Sequence, residues 1–173
     1  MTLTLGFDPD LHHAAWALAS TDGVYACGTI TAPTKLKGAQ AVVAMIGNMT
    51  EASALFSSMR DHAPRRLIVE GMHTKNRDVP AEGLFHLCEV GGAFAMLCKL
   101  AIPELQIFFP PAAGRGAWKY AVPKKIHNER ILHRYGLTVE HVAEMASCSI
   151  SHTNHVIDAI GLARYGAFGL KQQ

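Results

Sequence analysis

Apolar and polar residues alternate at the start of the chain in the pattern of a half-buried strand. In the stretch LTLGFDP, Leu3, Leu5 and Phe7 occupy every second position, and Asp8 and Pro9 follow. An Asp-Pro pair is a common way to leave a strand, because proline cannot continue the ladder of hydrogen bonds. Asp8 alone therefore does not distinguish a functional site from a strand end.

The pattern predicts two more strands, over residues 14–20 and 23–31, joined by the turn TDG. The chain thus opens with an antiparallel meander of three strands. After a basic loop, apolar residues recur every three or four positions over residues 39–59 and predict one amphipathic helix. The stretch RRLIVEG then predicts a short buried strand of the parallel type, which ends at Glu70.

The second predicted helix, LFHLCEVGGAFAMLCKLA, contains the adjacent glycines Gly91 and Gly92. Glycine is costly in a helix interior, so the pair favours close packing of this helix against its copy in a dimer. The stretch LQIFF predicts another strand, which two prolines end. Three further helices are predicted over residues 123–136, 138–146 and 154–170.

The order of elements is three strands, helix, strand, helix, strand and then helices, which is typical of an α/β chain. This order resembles the RNase H-like fold, a central mixed sheet with an opening antiparallel three-strand meander, flanked by helices. The resemblance implies that Asp8 leaves a central strand and that Glu70 ends a neighbouring one. It also implies that Asp158, on the last helix, packs beside both carboxylates.

Composition predicts one globular domain over residues 1–173, because 49% of the chain is hydrophobic and only 17% is charged. No apolar run approaches the roughly 20 residues of a membrane helix, and no leader is visible before the first strand, so we expect a cytoplasmic protein without a membrane partner. The cysteines are scattered and never form CxxC, which favours reduced, buried thiols. They are Cys27, Cys88, Cys98 and Cys148.

The net charge of +2 does not by itself indicate a nucleic-acid partner. Between residues 115 and 134, however, six basic residues stand against the single acid Glu129. Trp118 and Tyr120 are interleaved with them. This combination fits a surface that follows a phosphate backbone, and it equally fits a solvated face.

Three stretches, GFDPDLHHAAWAL, LIVEG and HVIDAIGLARYG, resemble in this order the motifs of RuvC-type Holliday junction resolvases. The resemblance spans nearly the whole chain and implies a metal site with four catalytic ligands. These are Asp8, Glu70, His155 and Asp158. FHLCEVGGAFAML resembles the helix that joins two subunits in that family, which implies Gly91 and Gly92 at a homodimer interface.

The chemistry of phosphodiester hydrolysis explains such a set of ligands. One water must be activated and one leaving oxyanion neutralised, and two Mg²⁺ ions about 4 Å apart do both. Mn²⁺ is expected to substitute for Mg²⁺, and carboxylates suit both ions. Each residue also has a structural explanation: Glu70 ends a strand, His155 lies on a helix face, and Asp158 offsets the helix dipole. His152 and His155 have a spacing that can bind zinc, which we rank below magnesium.

The chain departs from the family pattern at several positions. Asp10 and Ala15 stand where the family often has glycine, and His73 stands where it commonly has an aromatic wedge. The choice of the lysine that contacts the scissile region stays open among Lys119, Lys124 and Lys125. The expected DNA-binding residues are His73, Lys75, Arg77, Arg115, Lys119, Lys124 and Lys125.

The sequence therefore predicts a magnesium-dependent endodeoxyribonuclease, a homodimer that makes paired symmetric nicks in four-way DNA junctions. A two-fold substrate favours a two-fold enzyme. Two alternatives remain. One is a less selective nuclease for branched or flap DNA with the same active site, and the other is an inactive RNase H-like module that only binds DNA.

Overall fold

The computed structural model describes residues 2–71, 81–110 and 122–168. Within them, five strands form one mixed sheet in the order β3-β2-β1-β4-β5. The strands are β1 (Thr4–Asp8), β2 (His13–Ala19), β3 (Val24–Thr31), β4 (Arg66–Val69) and β5 (Gln106–Phe108). The predicted α/β fold with an opening meander is confirmed.

β1 lies in the middle of the sheet. It pairs antiparallel with β2 and parallel with β4. The register with β4 sets Phe7 opposite Val69, so that Asp8 and Glu70 occupy the next pair of positions along the two strands. Both acids therefore come to the same edge of the sheet, as the sequence predicted.

Helices cover both faces of the sheet. They are α1 (Gly38–Thr50), α2 (Ser53–His62), α3 (Ala81–Ala101), α4 (Lys124–Tyr135), α5 (Val139–Met145) and α6 (Thr153–Phe168), with one 3₁₀ turn (Ile150–His152) before α6. Alternation along β1 sends Leu5 and Phe7 to the face of α1, α2 and α3. There the ring of Phe7 stacks on Phe94, with the ring centroids 3.6 Å apart. The opposite face packs against α4, α5 and α6.

Gly6 sets the distance between β1 and α6. A Cβ at this position would contact the carbonyl oxygen of Ala159 and would lie 2.5 Å from the backbone nitrogen of Ala163. No side chain larger than hydrogen fits there, so the backbone of α6 rests directly on the strand. Asp8, two residues further on, projects from the same face toward α6.

The single helix predicted over residues 39–59 is wrong, because the structure has two helices separated at Glu51 and Ala52. The hydroxyl of Thr50 donates to the carbonyl oxygen of Gly47 at 2.6 Å, and the backbone N–H of Ser53 bonds to Glu51 rather than continuing α1. Threonine competes in this way for backbone acceptors at helix ends. Both helices still bury their methionines in one core, which is why the apolar period continues through the break.

α3 contradicts the expectation that no segment approaches the length and hydropathy of a membrane helix. Its segment Glu82–Ala101 is long and apolar enough to cross a membrane by length and composition alone. One side of the helix, with Val90, Phe94 and Cys98, is buried in the core beside the sheet. Core helices commonly meet the same criterion, so this segment is weak evidence for a membrane span.

All four cysteines are free thiols. Burial raises the pKa of both Cys27 and Cys98 to about 12, which keeps these thiols protonated and unreactive. Cys88 is exposed on α3 and corrects the expectation that every cysteine packs in the core. Cys148 is half-buried.

Candidate active site

Two acids stand at the carboxyl ends of neighbouring parallel strands. Asp8 is the last residue of β1 and is only 5% exposed. Glu70 follows β4, and its backbone N–H donates to the carbonyl oxygen of Phe7 at 2.9 Å. This hydrogen bond continues the ladder one step beyond β4 and fixes the backbone of Glu70 beside that of Asp8.

α6 brings two further candidate residues to the same edge of the sheet. His155 and Asp158 lie in its first turns, one helical turn apart. The helix begins after a 3₁₀ turn, where the hydroxyl of Thr153 donates to the carbonyl oxygen of Ile150 at 2.7 Å. Nδ1 of His155 lies 2.9 Å from Oδ2 of Asp8.

The contact between His155 and Asp8 assigns roles to the two imidazole nitrogens. An ionised carboxylate only accepts hydrogen bonds, so Nδ1 of His155 is the donor. In the neutral ring Nε2 then carries the lone pair. His155 therefore holds Asp8 through one nitrogen and offers the other to a further partner.

Asp158 is the most deeply buried of the candidate acids, at 2% exposure. Its Oδ2 lies 3.1 Å from Nζ of Lys124, the first residue of α4. About half of the Lys124 side chain is exposed, at 53%. The ammonium thus reaches the buried carboxylate from the protein surface.

Within residues 2–71, 81–110 and 122–168, no group of three or more His, Cys, Asp or Glu side chains lies close enough to hold one metal ion. Asp8 and Asp158 instead meet an imidazole and an ammonium. The chemistry of the donors nevertheless suits a divalent cation, because the candidate residues are mainly carboxylates and Asp158, although almost fully buried, already has a cationic partner. Asp8, Glu70 and Asp158 offer the oxygen ligands that Mg²⁺ prefers.

Two further histidines, His13 and His152, form a stacked pair beside the site, which the sequence patterns did not predict. The ring of His13, at the start of β2, stacks on that of His152, with the centroids 4.0 Å apart. Burial, and then the nearby His152, lower the pKa of His13. His152 also has its Nδ1 3.2 Å from the hydroxyl of Ser149. The signal for this pair was present in the sequences LHHA and SHTNH.

Asp10 shapes the turn between β1 and β2. Its Oδ1 accepts hydrogen bonds from the backbone N–H groups of His12 at 2.8 Å and His13 at 2.9 Å. Asp side chains stabilise tight turns in this way. The acid that replaces the glycine of the family pattern is thus a turn residue, and it places His13 at the start of β2.

Most of the predicted DNA-binding residues lie outside the described residues. They are His73, Lys75, Arg77, Arg115 and Lys119, together with Trp118 and Tyr120 of the basic stretch. Lys124 and Lys125 are described, and both are exposed in the first turn of α4. Of these two lysines, Lys124 is the one that contacts a candidate catalytic acid.

The two glycines of α3 differ in their surroundings. A Cβ at Gly91 would lie 3.2 Å from Cγ1 of Val69, so the close approach at Gly91 is made to β4 of the same chain rather than to a second copy. The packing of Gly91 is thus explained within one chain, and its place at a dimer interface stays a prediction. Gly92 is exposed, and a Cβ added to it would meet no described atom within 4 Å, which leaves it accessible to a partner.

The mixed five-stranded sheet, with a meander at one edge and helices on both faces, has the RNase H-like fold. Among solved structures, the chain is similar to that of Thermus thermophilus RuvC in complex with a Holliday junction substrate. The TM-score is 0.57 at 11% identity, with 98% of this chain and 97% of that chain covered. A second structure of Thermus thermophilus RuvC gives a TM-score of 0.52 at 12% identity, with coverages of 94% and 91%.

Sequence comparison adds nothing to this likeness, because no protein-family model and no curated protein matches the chain. At these identities the structural likeness establishes the fold. The function rests on the residues of the site.

Proposed function

We propose that the protein is a divalent-metal-dependent endodeoxyribonuclease that resolves four-way DNA junctions. The observation that carries the proposal is the contact of His155 with Asp8 at the end of the central strand, with the backbone of Glu70 beside that of Asp8. Asp158 follows His155 one turn later on the same helix. The proposal is supported by a fold shared over nearly its whole length with a RuvC bound to a Holliday junction.

The residues of the site divide into two roles. Asp8, Glu70 and Asp158 would supply the carboxylate ligands, and His155 would orient Asp8 through Nδ1 while Nε2 stays available as a ligand. When bound, two Mg²⁺ ions supply an activated water and neutralise the leaving oxyanion. The burial of Asp8 and Asp158 would strengthen electrostatic contacts at the reacting phosphate, because less water screens them.

The basic surface that would bind DNA begins on α4. Lys124 and Lys125 are exposed beside the site, and Arg130 and Arg134 continue along the helix. Lysine and arginine contacts to phosphates give affinity without sequence information. Arg115 and Lys119, which the sequence also predicts to bind DNA, lie outside the described residues.

The exposed face of α3 would join two copies of the chain. Phe85, Gly92, Met96 and Leu100 follow one another at helical spacing, and the three large side chains are 62 to 72% exposed. Contiguous apolar surface of this kind marks interfaces. A dimer related by a two-fold axis would present two active sites to a four-way junction.

Two expectations from the sequence stay predictions: that residues 1–173 form a single domain and that the protein is cytoplasmic.

The decisive experiment incubates the purified protein and Mg²⁺ with four-way, three-way, flap and linear DNA of matched sequence, and maps the cuts on each strand. We expect paired symmetric nicks in the four-way junction alone. The Asp158→Asn variant controls for contaminating nuclease. Equal cutting of the flap would instead support the less selective nuclease, and binding without any cutting would support the inactive module.

A further inference from the structure

Two polar contacts connect α4 to α6 beside the candidate site. Nζ of Lys124 lies 3.1 Å from Oδ2 of Asp158, and Nδ2 of Asn128 donates to Oδ1 of Asn154 at 2.9 Å. The two contacting residues lie four positions apart on each helix, and the residue numbers rise along α4 while they fall along α6, so the two helix segments are antiparallel. One helical turn of α4 is therefore held against one helical turn of α6 by two side-chain contacts.

The two contacts differ in what they do. Asn128 is buried, and its contact with Asn154 joins two neutral amides. The contact of Lys124 supplies positive charge to a buried carboxylate, and its long side chain reaches that carboxylate from an exposed position. The amide contact fixes the position of α4, whereas the ammonium is free to leave without uncovering the core.

A divalent cation at Asp158 and the Lys124 ammonium need the same carboxylate. A divalent cation and an ammonium held this close repel each other, and more strongly where water is partly excluded. Lys124 can relieve this repulsion by turning into solvent, because its side chain is half exposed. Metal binding and the ion pair between Lys124 and Asp158 therefore oppose each other.

We propose that Lys124 is a positioning residue that competes with the divalent metal for Asp158. Without metal, its ammonium neutralises Asp158 and holds the first turn of α4 on α6. When metal binds, the ammonium leaves and this first turn loosens, so that Lys124 raises the metal concentration at which the site fills. The inference rests on the proposed metal site, and its measurements do not require DNA cleavage.

The test compares Mn²⁺ binding to the wild type, Lys124→Met and Lys125→Met at constant ionic strength, by electron paramagnetic resonance of free Mn²⁺. Lys125 is the matched control, since it is an exposed neighbouring lysine on the same helical turn. We expect the Kd of Lys124→Met to fall about tenfold, corresponding to the loss of a competing ion pair worth roughly 1.4 kcal/mol. The Kd of Lys125→Met should change by less than about twofold.

A second measurement uses the wild type alone and so does not depend on the folding of a variant. Amide hydrogen exchange at His127, whose N–H donates to the carbonyl oxygen of Pro123 across the first turn of α4, should become faster when Mg²⁺ is added, while exchange in the last turn stays the same. Unchanged or slower exchange at His127 would overturn the inference, as would equal Mn²⁺ affinities of the two lysine variants.

The outcomes also separate this inference from the proposed function. A protein that binds metal and releases Lys124 but cuts no DNA would overturn the nuclease proposal and leave the competition standing. A protein that resolves junctions but binds Mn²⁺ equally well with Lys124→Met would do the reverse. A wild type that binds no Mn²⁺ would overturn both.

Discussion

His155 Nδ1 lies 2.9 Å from Asp8 Oδ2, although 147 positions separate the two residues in the chain. This contact joins the end of the central strand to the start of the last helix. It orients a buried carboxylate through a neutral or charged hydrogen-bond donor.

His155→Asp should make the metal-free protein less stable. It replaces a hydrogen bond to Asp8 by a second carboxylate at the same place, and like charges at this distance repel. We expect a loss of about 1–3 kcal/mol in the free energy of unfolding without metal, recovered on adding Mg²⁺. Urea denaturation with and without Mg²⁺ measures both effects. An equal loss under both conditions would contradict the proximity of residue 155 to the metal.

Removing any one of the three acids should abolish cleavage and leave junction binding nearly unchanged. The variants are Asp8→Asn, Glu70→Gln and Asp158→Asn. Each would remove a proposed metal ligand, whereas the proposed affinity for DNA would come mainly from phosphate contacts elsewhere. Glu104→Gln, at an exposed acid on the loop before β5, is the control and should cut at the wild-type rate. A variant of the three that still cuts at that rate in a gel assay would not be a ligand.

Gly6→Ala should destabilise the protein and reduce cleavage together. The added methyl group meets the backbone of α6 at Ala159 and Ala163, so the helix that carries the site must shift. Overpacking of this kind costs about 1–3 kcal/mol. Gly47→Ala is the control, since nothing lies within 4 Å of its Cβ position in α1, and should stabilise the protein by about 0.5–1 kcal/mol. Equal effects of the two changes would argue against the close contact at Gly6.

Phe85→Glu combined with Met96→Glu should give a monomer without unfolding it. Both side chains project from the exposed face of α3, and charges there would be buried without partners in a dimer. Light scattering should find about twice the chain mass of 18.7 kDa for the wild type and the single mass for the double variant. Met145→Glu, at the exposed end of α5, should leave the mass unchanged. A monomeric wild type, free and bound to a junction, would remove the proposed dimer.

The stability of the protein should fall as the pH drops below about 6.5, in part through His13. Burial and His152 lower the pKa of His13 from its usual value of 6.5, so the unfolded chain takes up the proton first. The contribution is fully present above that value and is lost as the pH falls through the folded pKa. His13→Phe keeps a ring against His152 and should flatten the pH dependence of Tm between about 7.5 and 5.5. An identical slope in both proteins would contradict this origin.

The sequence predicted the architecture well because its strongest signals were local. Strict alternation identified β1, and the glycine at position 136 ends α4 with a positive φ of 62°, as a helix-stopping glycine should. The break between α1 and α2 escaped because Thr50 and Ser53 redirect backbone hydrogen bonds without interrupting the apolar period. The periodicity reports burial, and burial continues through the break.

Strand ends and the order of the motifs predicted which residues belong to the candidate site, but not their side-chain contacts. Adjacent parallel strands bring Asp8 and Glu70 to one edge, which follows from the order of elements. Asp158 contacts Lys124 rather than Lys125 because of the rotation of α4 against α6, and no spacing in the sequence encodes that rotation. The stack of His13 on His152 likewise depends on how the 3₁₀ turn meets β2.

The docking of α6 on β1 at Gly6 also determines when in folding the site appears. Contacts between distant parts of a chain close the largest loops and tend to form late. A chain that has formed its meander but has not yet docked α6 has Asp8 without His155 or Asp158. Partly folded molecules would therefore lack the contact between Asp8 and His155, and the candidate site is complete only once the last helix has packed.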